Sequence, residues 1–440
     1  MTTELKRDYS KNALLEYLVI FCVFCRLGFP GNLSEMLGGN TVMLAIDYGS
    51  SLVQVLIMLM ASGDTLNDIR LMNFKKKYYP IYLMLLLLFA MSLLVSHSRI
   101  KQLTIIIRFS ITALFGLWLA DYFSVKRLLE IIYCAQVAIV IANLLTLVVF
   151  PSAGYYVDEG YGYIFRGLYT QKNGLGAEMG ALLALQTVLG FLRRDGREGL
   201  TRTFIVLFVV QVFLLAVSRS TSSLLSTGLT VVYLILVRAK QGRGRRIQWG
   251  LVYAIVSVGF LFAASMILPM AAPLLEAMGK DATLSNRTPM WAGIITFMQE
   301  GHTLTGYGLL QFWETPYALR ILQLSFPSDS WFRSMAYGSH NVILEMWLDV
   351  GLIGIAAFLT TLIICFRHVG KLTPERYLLC SALIIPQLIE GLTDRMYTNV
   401  NYSTCFFFLL LGTACSWEAE ERSPGHEQKE MMANHETVKQ

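Results

Sequence analysis

The feature that most constrains this chain is a series of apolar blocks, each about 17 to 25 residues long, that recurs along nearly its whole length. A helix rises about 1.5 Å per residue, so blocks of this length match the roughly 30 Å of hydrocarbon in a bilayer. Hydrophobic residues make up 55% of the 440 residues and charged residues only 15%, whereas soluble domains carry about a quarter charged residues. The sequence therefore predicts an all-α, polytopic membrane protein.

We expect about twelve membrane-spanning helices. They are placed near residues 13 to 29, 41 to 61, 79 to 96, 103 to 123, 128 to 150, 174 to 192, 203 to 218, 222 to 238, 249 to 268, 341 to 364, 376 to 393 and 400 to 417. Connections on one side carry more than twice as many Lys and Arg residues as those on the other, which predicts cytoplasmic termini. The net charge of +6 is then explained by anchoring at anionic lipid, and no nucleic-acid partner is expected.

Residues 1 to 417 are predicted to form a single integral-membrane domain, followed by a polar, disordered cytoplasmic tail from 418 to 440. The long outer loop from 269 to 340 lies before the tenth span, and loops of this length are usually functional. Within it, an amphipathic helix lying at the membrane surface is expected, with its apolar stripe at Trp291, Ile294, Ile295 and Met298. Broken hydrophobic segments in matched positions of two halves, typical of many transporters, are not evident.

His340 lies where this polar loop gives way to the apolar tenth span. An imidazole titrates near neutral pH, so at a membrane surface it can act as a general base between a lipid-linked substrate and an aqueous acceptor. The alternative is that His340 and Asn341 only cap a helix.

Four cationic residues at outward-facing positions are candidate phosphate ligands, namely Arg166, Lys172, Arg219 and Arg287. Guanidinium stays charged and binds phosphate oxygens in a bidentate fork, and helix amides after Lys172 would also favour an anion. The alternative is that each side chain extends to lipid headgroups. Arg219 and Arg287 are the stronger candidates, Arg219 because an outward Arg in a short turn between two spans opposes the positive-inside tendency.

Three secondary candidates accompany these residues. Glu345 and Asp349 lie four residues apart on one helix face, with Asn341 a further turn back, and these acidic groups could orient His340 or pair with an arginine. The alternative is that they face solvent near the start of the helix. Arg395 could act at the site or simply pair with the neighbouring Asp394. Gly351 and Gly354 are expected to allow close contact between helices.

The combined pattern resembles the O-antigen ligase and O-antigen polymerase superfamily of bacterial membrane glycosyltransferases. The resemblance covers most of residues 130 to 415 and is carried by Ser218-Arg219-Ser220-Thr221, by Arg287-Thr288-Pro289-Met290-Trp291 with Leu304-Thr305-Gly306-Tyr307-Gly308, and by Ser339-His340-Asn341 with Gly351-Leu352-Ile353-Gly354.

This resemblance implies a GT-C-type enzyme of cell-envelope polysaccharide biosynthesis in the bacterial inner membrane, with an extracytoplasmic active site. It implies that Arg219 and Arg287 hold the diphosphate of an undecaprenyl-diphosphate-linked oligosaccharide while His340 activates an acceptor glycan or stabilises the donor. Arg166 and Lys172 match the family less tightly. No cofactor or metal is expected, since the outer loops lack a paired-acid motif. Partners would be these glycans and membrane lipid, and could include a flippase and a chain-length regulator.

Two alternatives stay open at this point. Polymerising repeat units and ligating a finished chain to lipid A core or protein share the same donor chemistry, and we favour polymerisation because polymerases are the more widespread members. A protein of another class, a transporter or flippase of a lipid-linked or anionic solute, could use the same arginines for binding alone. Transport would need titratable groups near the membrane midplane, and Asp47, Arg108 and Glu178 are expected nearer helix ends.

Overall fold

The computed structural model describes residues 9–28, 40–61, 76–158, 162–169, 171–240, 287–326, 338–391 and 402–416. Its helices of ten or more residues are α1 (Tyr9–Gly28), α2 (Asn40–Ala61), α3 (Tyr79–Val95), α4 (Arg99–Tyr122), α5 (Val125–Val148), α6 (Lys172–Asp195), α7 (Arg202–Val217), α8 (Thr221–Lys240), α9 (Arg287–Glu300), α10 (Pro316–Ser325), α11 (Val342–Phe366), α12 (Pro374–Glu390) and α13 (Tyr402–Ala414).

A helix occupies each predicted span that falls within these ranges, with ends shifted by a few residues. Six helical segments in this part of the chain, those containing α3, α4, α5, α6, α8 and α11, are long and apolar enough to cross a membrane. The chain is therefore a mainly helical, multi-pass membrane protein. The predicted span at 249 to 268 and the tail from 418 lie outside the described residues, so the count of twelve stays a prediction.

Small residues let the helices of the bundle approach closely. A Cβ on Gly116 of α4 would lie 2.5 Å from the carbonyl oxygen of Cys405 in α13, and one on Gly412 would lie 2.8 Å from the Cβ of Ala120. Helix α6 packs against α5, α7, α8 and α12, and its Gly176 leaves no room for a Cβ beside Ser220. Without a hydrophobic driving force between helices in lipid, such close packing supplies much of their association.

The expectation of an all-α chain misses a β-hairpin between α5 and α6. Strands β1 (Tyr155–Asp158) and β2 (Gly162–Phe165) pair antiparallel, with Tyr155 opposite Phe165. Most residues of the two strands are aromatic or β-branched, types that favour a strand over a helix. The buried Asn143 of α5 accepts a hydrogen bond at 3.0 Å from the backbone N–H of Leu168, which fixes the chain as it leaves the hairpin.

The loop before α11 forms a small cap of packed helices. In α9, the side chains of Met290, Ile294 and Met298 are buried in an apolar cluster, whereas the predicted stripe residue Ile295 is 40% exposed. The cluster continues through Phe312 and the unpredicted helix α10 to Leu348 of α11. The apolar side of α9 thus packs against protein, which corrects the expectation that it faces the membrane surface.

Helix α11 is interrupted at Gly351, where φ is +62° and ψ is −172°. Segment 303–308 replaces the helical hydrogen bonds lost at this break. The N–H of Tyr307 donates to the carbonyl of Leu348 at 2.7 Å, and the N–H of Leu352 donates to the carbonyl of Thr303 at 3.0 Å. The prediction for Gly351 is therefore wrong, because it forms a break rather than a contact between helices. Gly354 does pack closely, since its Cβ would lie 3.1 Å from Leu88 of α3.

Candidate functional site

The candidate residues that can be traced lie at one end of the helix bundle. Contacts between the connections of the helices distinguish the two ends. At one end the hydroxyl of Ser96 donates to Gln311 at 2.7 Å, and the N–H of Val342 donates to the carbonyl of Gly391 at 2.6 Å. At the other end Lys77 pairs with Asp121 at 2.5 Å. The first end contains the chain segments that bear Arg166, Lys172, Arg219 and His340.

His340 has a left-handed backbone with φ of +51°, which few non-glycine residues adopt. Its side chain is half-buried, between the fully buried Ser339 and the start of α11. Strained conformations of this kind persist only where neighbouring contacts enforce them, and they are frequent at functional sites. The imidazole is therefore presented by a rigid turn.

Asn341 caps α11, since its side-chain oxygen accepts hydrogen bonds from the backbone N–H groups of Ile343 at 3.0 Å and Leu344 at 3.2 Å. The capping alternative thus holds for Asn341. Its side-chain oxygen serves the helix start and thereby fixes where α11 begins relative to His340.

Glu345 is fully buried, and both of its carboxylate oxygens accept hydrogen bonds. The indole N–H of Trp313 donates to one oxygen at 2.8 Å, and the backbone N–H of Ser339 donates to the other at 2.7 Å. The carbonyl of Ser339 in turn accepts from the indole N–H of Trp291 at 2.7 Å. Glu345 therefore holds the residue before His340, in a role that the sequence alone left undecided.

The side chain of Asp349 also has a structural role. It is buried and accepts from the backbone N–H of Leu310 at 3.0 Å, while its carbonyl accepts from Gly308 at 2.9 Å. Nearby, burial and a smaller effect of Tyr317 raise the pKa of Tyr307 to about 12. The Tyr307 hydroxyl consequently stays protonated at neutral pH.

Arg219 occupies the turn between α7 and α8, and it too has a left-handed backbone, with φ of +53°. Its side chain is exposed, whereas the flanking Ser218 and Ser220 are buried. The Ser218 hydroxyl donates to the carbonyl of Leu215 at 2.7 Å and accepts from the N–H of Ser220 at 3.3 Å. Two buried serines thus lock the turn and direct the intervening guanidinium outward.

A chain of hydrogen bonds runs from this turn to the segment that carries His340. The Ser220 hydroxyl donates its single proton to Ser223 at 2.8 Å, and its oxygen also lies 3.2 Å from the side-chain amide of Asn173. Ser223 donates to the buried carboxylate of Glu390 at 3.3 Å. The residue after Glu390 accepts the backbone N–H of Val342, two residues beyond His340.

This network links the starts of α6, α8 and α11 to the end of α12. Sequence reasoning missed Ser223 and Glu390, although an acidic residue at the apolar end of a span was a signal that could have been followed.

The two less certain cations lie at the connection between the hairpin and α6. Arg166 follows β2 and stacks over the ring of Tyr156 at 5.6 Å from its centroid, a cation–π contact that holds the guanidinium against the hairpin. Lys172 begins α6, directly before Asn173 of the network. Tyr169, between them, packs on Gly174 and lies against the carboxylate of Glu178. Lys172 is thus brought next to the Arg219 turn, while Arg166 is held by its own hairpin.

The side chains of two site candidates lie outside the described residues. Arg287 begins α9, but only its backbone is described, and the whole of Arg395 is outside the described residues. The side chain of Asp47, named for the transport alternative, is also outside them. The expectation that Arg108 lies near a helix end is wrong, because it sits close to the middle of α4, over the ring of Tyr48 at 5.0 Å. Glu178 is fully buried, six residues inside α6.

A comparison with protein families bears directly on this arrangement. Residues 206–359 match the family model described as O-antigen ligase. The match confirms the predicted relationship to the O-antigen ligase and polymerase superfamily. A search of curated proteins found no match.

The matched segment begins in α7 and ends in α11. It contains Arg219, Arg287 and His340, together with Glu345 and the break at Gly351, but neither Arg166 nor Lys172. The chain thus has the character of a multi-pass membrane protein with a segment similar to the O-antigen ligase family.

Proposed function

We propose that this protein is a metal-independent glycosyltransferase that takes a glycan from undecaprenyl diphosphate at the outer face of the inner membrane. The observation that carries the proposal is the hydrogen-bonded chain from the Arg219 turn through Ser223 and Glu390 to the helix start beside His340. A phosphate-binding cation and a general base are thereby anchored in one framework. The O-antigen ligase match over both residues supports the same chemistry.

The proposed reaction is a displacement at the anomeric carbon of the donor sugar. The acceptor hydroxyl attacks this carbon, the bond from the carbon to the diphosphate oxygen breaks, and undecaprenyl diphosphate leaves with the electron pair. His340 accepts the proton of the acceptor hydroxyl. Arg219 and Arg287 neutralise the charge that develops on the leaving diphosphate, as preorganised cations do without a metal.

Arg166 and Lys172 are proposed as a flanking part of the diphosphate site, Lys172 through its position beside Asn173. We propose polymerisation of repeat units of an O-antigen or capsule as the physiological reaction. Transfer of a finished chain to lipid A core or protein would use the same donor site, so acceptor identity separates the two.

The experiment compares two histidines that share an unusual backbone. His302 has φ of +59° and an exposed side chain, and His340 has φ of +51°. Each is changed to Ala, and the purified proteins are supplied with a synthetic undecaprenyl-diphosphate oligosaccharide. We expect His340→Ala to abolish longer products while remaining in the membrane, and His302→Ala to stay active. Normal product length and yield from His340→Ala would disprove the catalytic role.

A further inference from the structure

Ser339, the residue directly before His340, is held at each of its polar backbone atoms by side chains from the cap and from α11. Its N–H donates to Glu345 at 2.7 Å and its carbonyl accepts from Trp291 at 2.7 Å. Its hydroxyl donates to the carbonyl of Asn341 at 2.8 Å. The peptide groups on both sides of the residue are thus fixed before the left-handed turn at His340 begins.

We propose that Trp291, Trp313 and Glu345, which together with Ser339 we term the Ser339 clasp, are positioning residues that set the placement of the His340 imidazole for glycan transfer. The proposal rests on the proposed function, because it assumes that His340 takes part in the reaction. The three side chains act through the Ser339 peptide groups and not by touching substrate.

The clasp also connects two parts of the site that are far apart in sequence. Trp291 lies one helical turn after Arg287, at which α9 begins, so its hydrogen bond to Ser339 ties the arginine-bearing helix to the histidine turn. Glu345 lies in α11, and Trp313 lies in the turn before α10. The hydrogen bonds of the clasp therefore join the start of α9 to the histidine turn.

Because Glu345 is buried, the clasp tolerates little change in its hydrogen-bonding groups. Glu345 is fully buried, and its two oxygens have two N–H donors, so that an amide in its place would turn an NH₂ group toward one of them. Because a buried polar group without a partner is costly, the turn would shift to avoid that contact. A displacement of about 1 Å at a catalytic group can lower turnover about 100-fold.

The chain offers a matched control in Trp347 of α11. Its indole N–H also donates to a backbone carbonyl, that of Thr303, at 3.0 Å, and its side chain is likewise half-buried. Trp291→Phe and Trp347→Phe therefore each remove one indole hydrogen bond of the same kind. Only the first removes a bond to Ser339.

The test uses the full-length protein in lipid nanodiscs with a synthetic undecaprenyl-diphosphate oligosaccharide. We expect Trp291→Phe to lower kcat by about 10- to 100-fold with the KM for the donor changed less than about twofold. Trp347→Phe should leave both constants within about twofold. We expect the two tryptophan variants to lower the unfolding temperature by similar amounts. Glu345→Gln should resemble Trp291→Phe.

Equal kcat values for the two tryptophan variants, or an effect of Trp291→Phe on KM alone, would overturn the positioning role of the clasp. Should Trp291→Phe fail to accumulate in the membrane, Trp313→Phe is measured in its place and must lower kcat. Full activity of His340→Ala would refute the proposed function itself. An inactive His340→Ala beside a fully active Trp291→Phe would refute only the positioning role.

Discussion

Gly306 and Gly351 lie backbone against backbone at the break in α11. A Cβ on Gly306 would lie 2.7 Å from the amide nitrogen of Gly351, and a Cβ on Gly351 would lie 2.3 Å from the carbonyl oxygen of Leu304. Both residues also have positive φ, +68° and +62°. Two segments that the sequence presents as separate motifs are therefore the two halves of one contact.

Replacing either glycine with Ala should destabilise the protein. The substitution combines strain at a conformation open almost only to glycine with a steric overlap against backbone, so we expect a loss of about 2 to 5 kcal/mol in unfolding free energy. Thermal unfolding of Gly306→Ala and Gly351→Ala in detergent measures it. The control is Gly228→Ala on α8, where a Cβ meets nothing within 4 Å. That variant should be unchanged or slightly more stable. Unaltered stability of Gly351→Ala would contradict the close backbone contact between Gly306 and Gly351.

Arg219→Gly should separate stability from activity. Glycine relieves the left-handed backbone, so we expect stability to be kept or to rise by up to about 1 kcal/mol. Loss of the guanidinium should lower glycan transfer by about 100-fold or more.

Arg197 provides the control for this variant, because it is exposed, has φ of +58°, and lies in the connection at the opposite end of the bundle. Arg197→Gly should gain similar stability and remain active. Loss of transfer in both variants, as measured by product formation from the lipid-linked donor, would argue against a specific role for Arg219.

Ser223→Ala should weaken the link between the Arg219 turn and α12. It removes a donor from the buried Glu390 carboxylate, which should cost about 1 to 3 kcal/mol in stability. We also expect slower transfer, because Glu390 adjoins the residue that holds the start of α11.

Ser226, one turn further along α8, is equally buried, but its hydroxyl has no hydrogen-bond partner among the residues that the structure describes. Ser226→Ala should therefore be neutral or stabilising, because a buried hydroxyl without a partner is itself costly. The two variants are compared by thermal unfolding and by product formation. Equal effects would show that the Ser223 hydroxyl contributes nothing through Glu390.

Much of the architecture could be read from local pattern. The lengths of the apolar blocks placed the helices to within a few residues, because satisfying the backbone within lipid leaves a span little choice but a helix. The helix from Arg287 was likewise expected from its spacing of apolar residues. The hairpin at 155 to 165 was missed because its strands are only four residues long and the pattern in them is weak.

By itself, the sequence determined the class of the protein, its membrane-crossing helices and the chemical types of its candidate residues, because hydropathy and side-chain chemistry are local properties. Only the tertiary structure decided what those residues contact. It showed that Glu345 holds Ser339, that Glu390 joins the Arg219 network, and that Gly351 interrupts a helix to receive Gly306. These contacts depend on how helices and loops pack against one another, so the local sequence can suggest a candidate such as Glu390 but cannot give its partner.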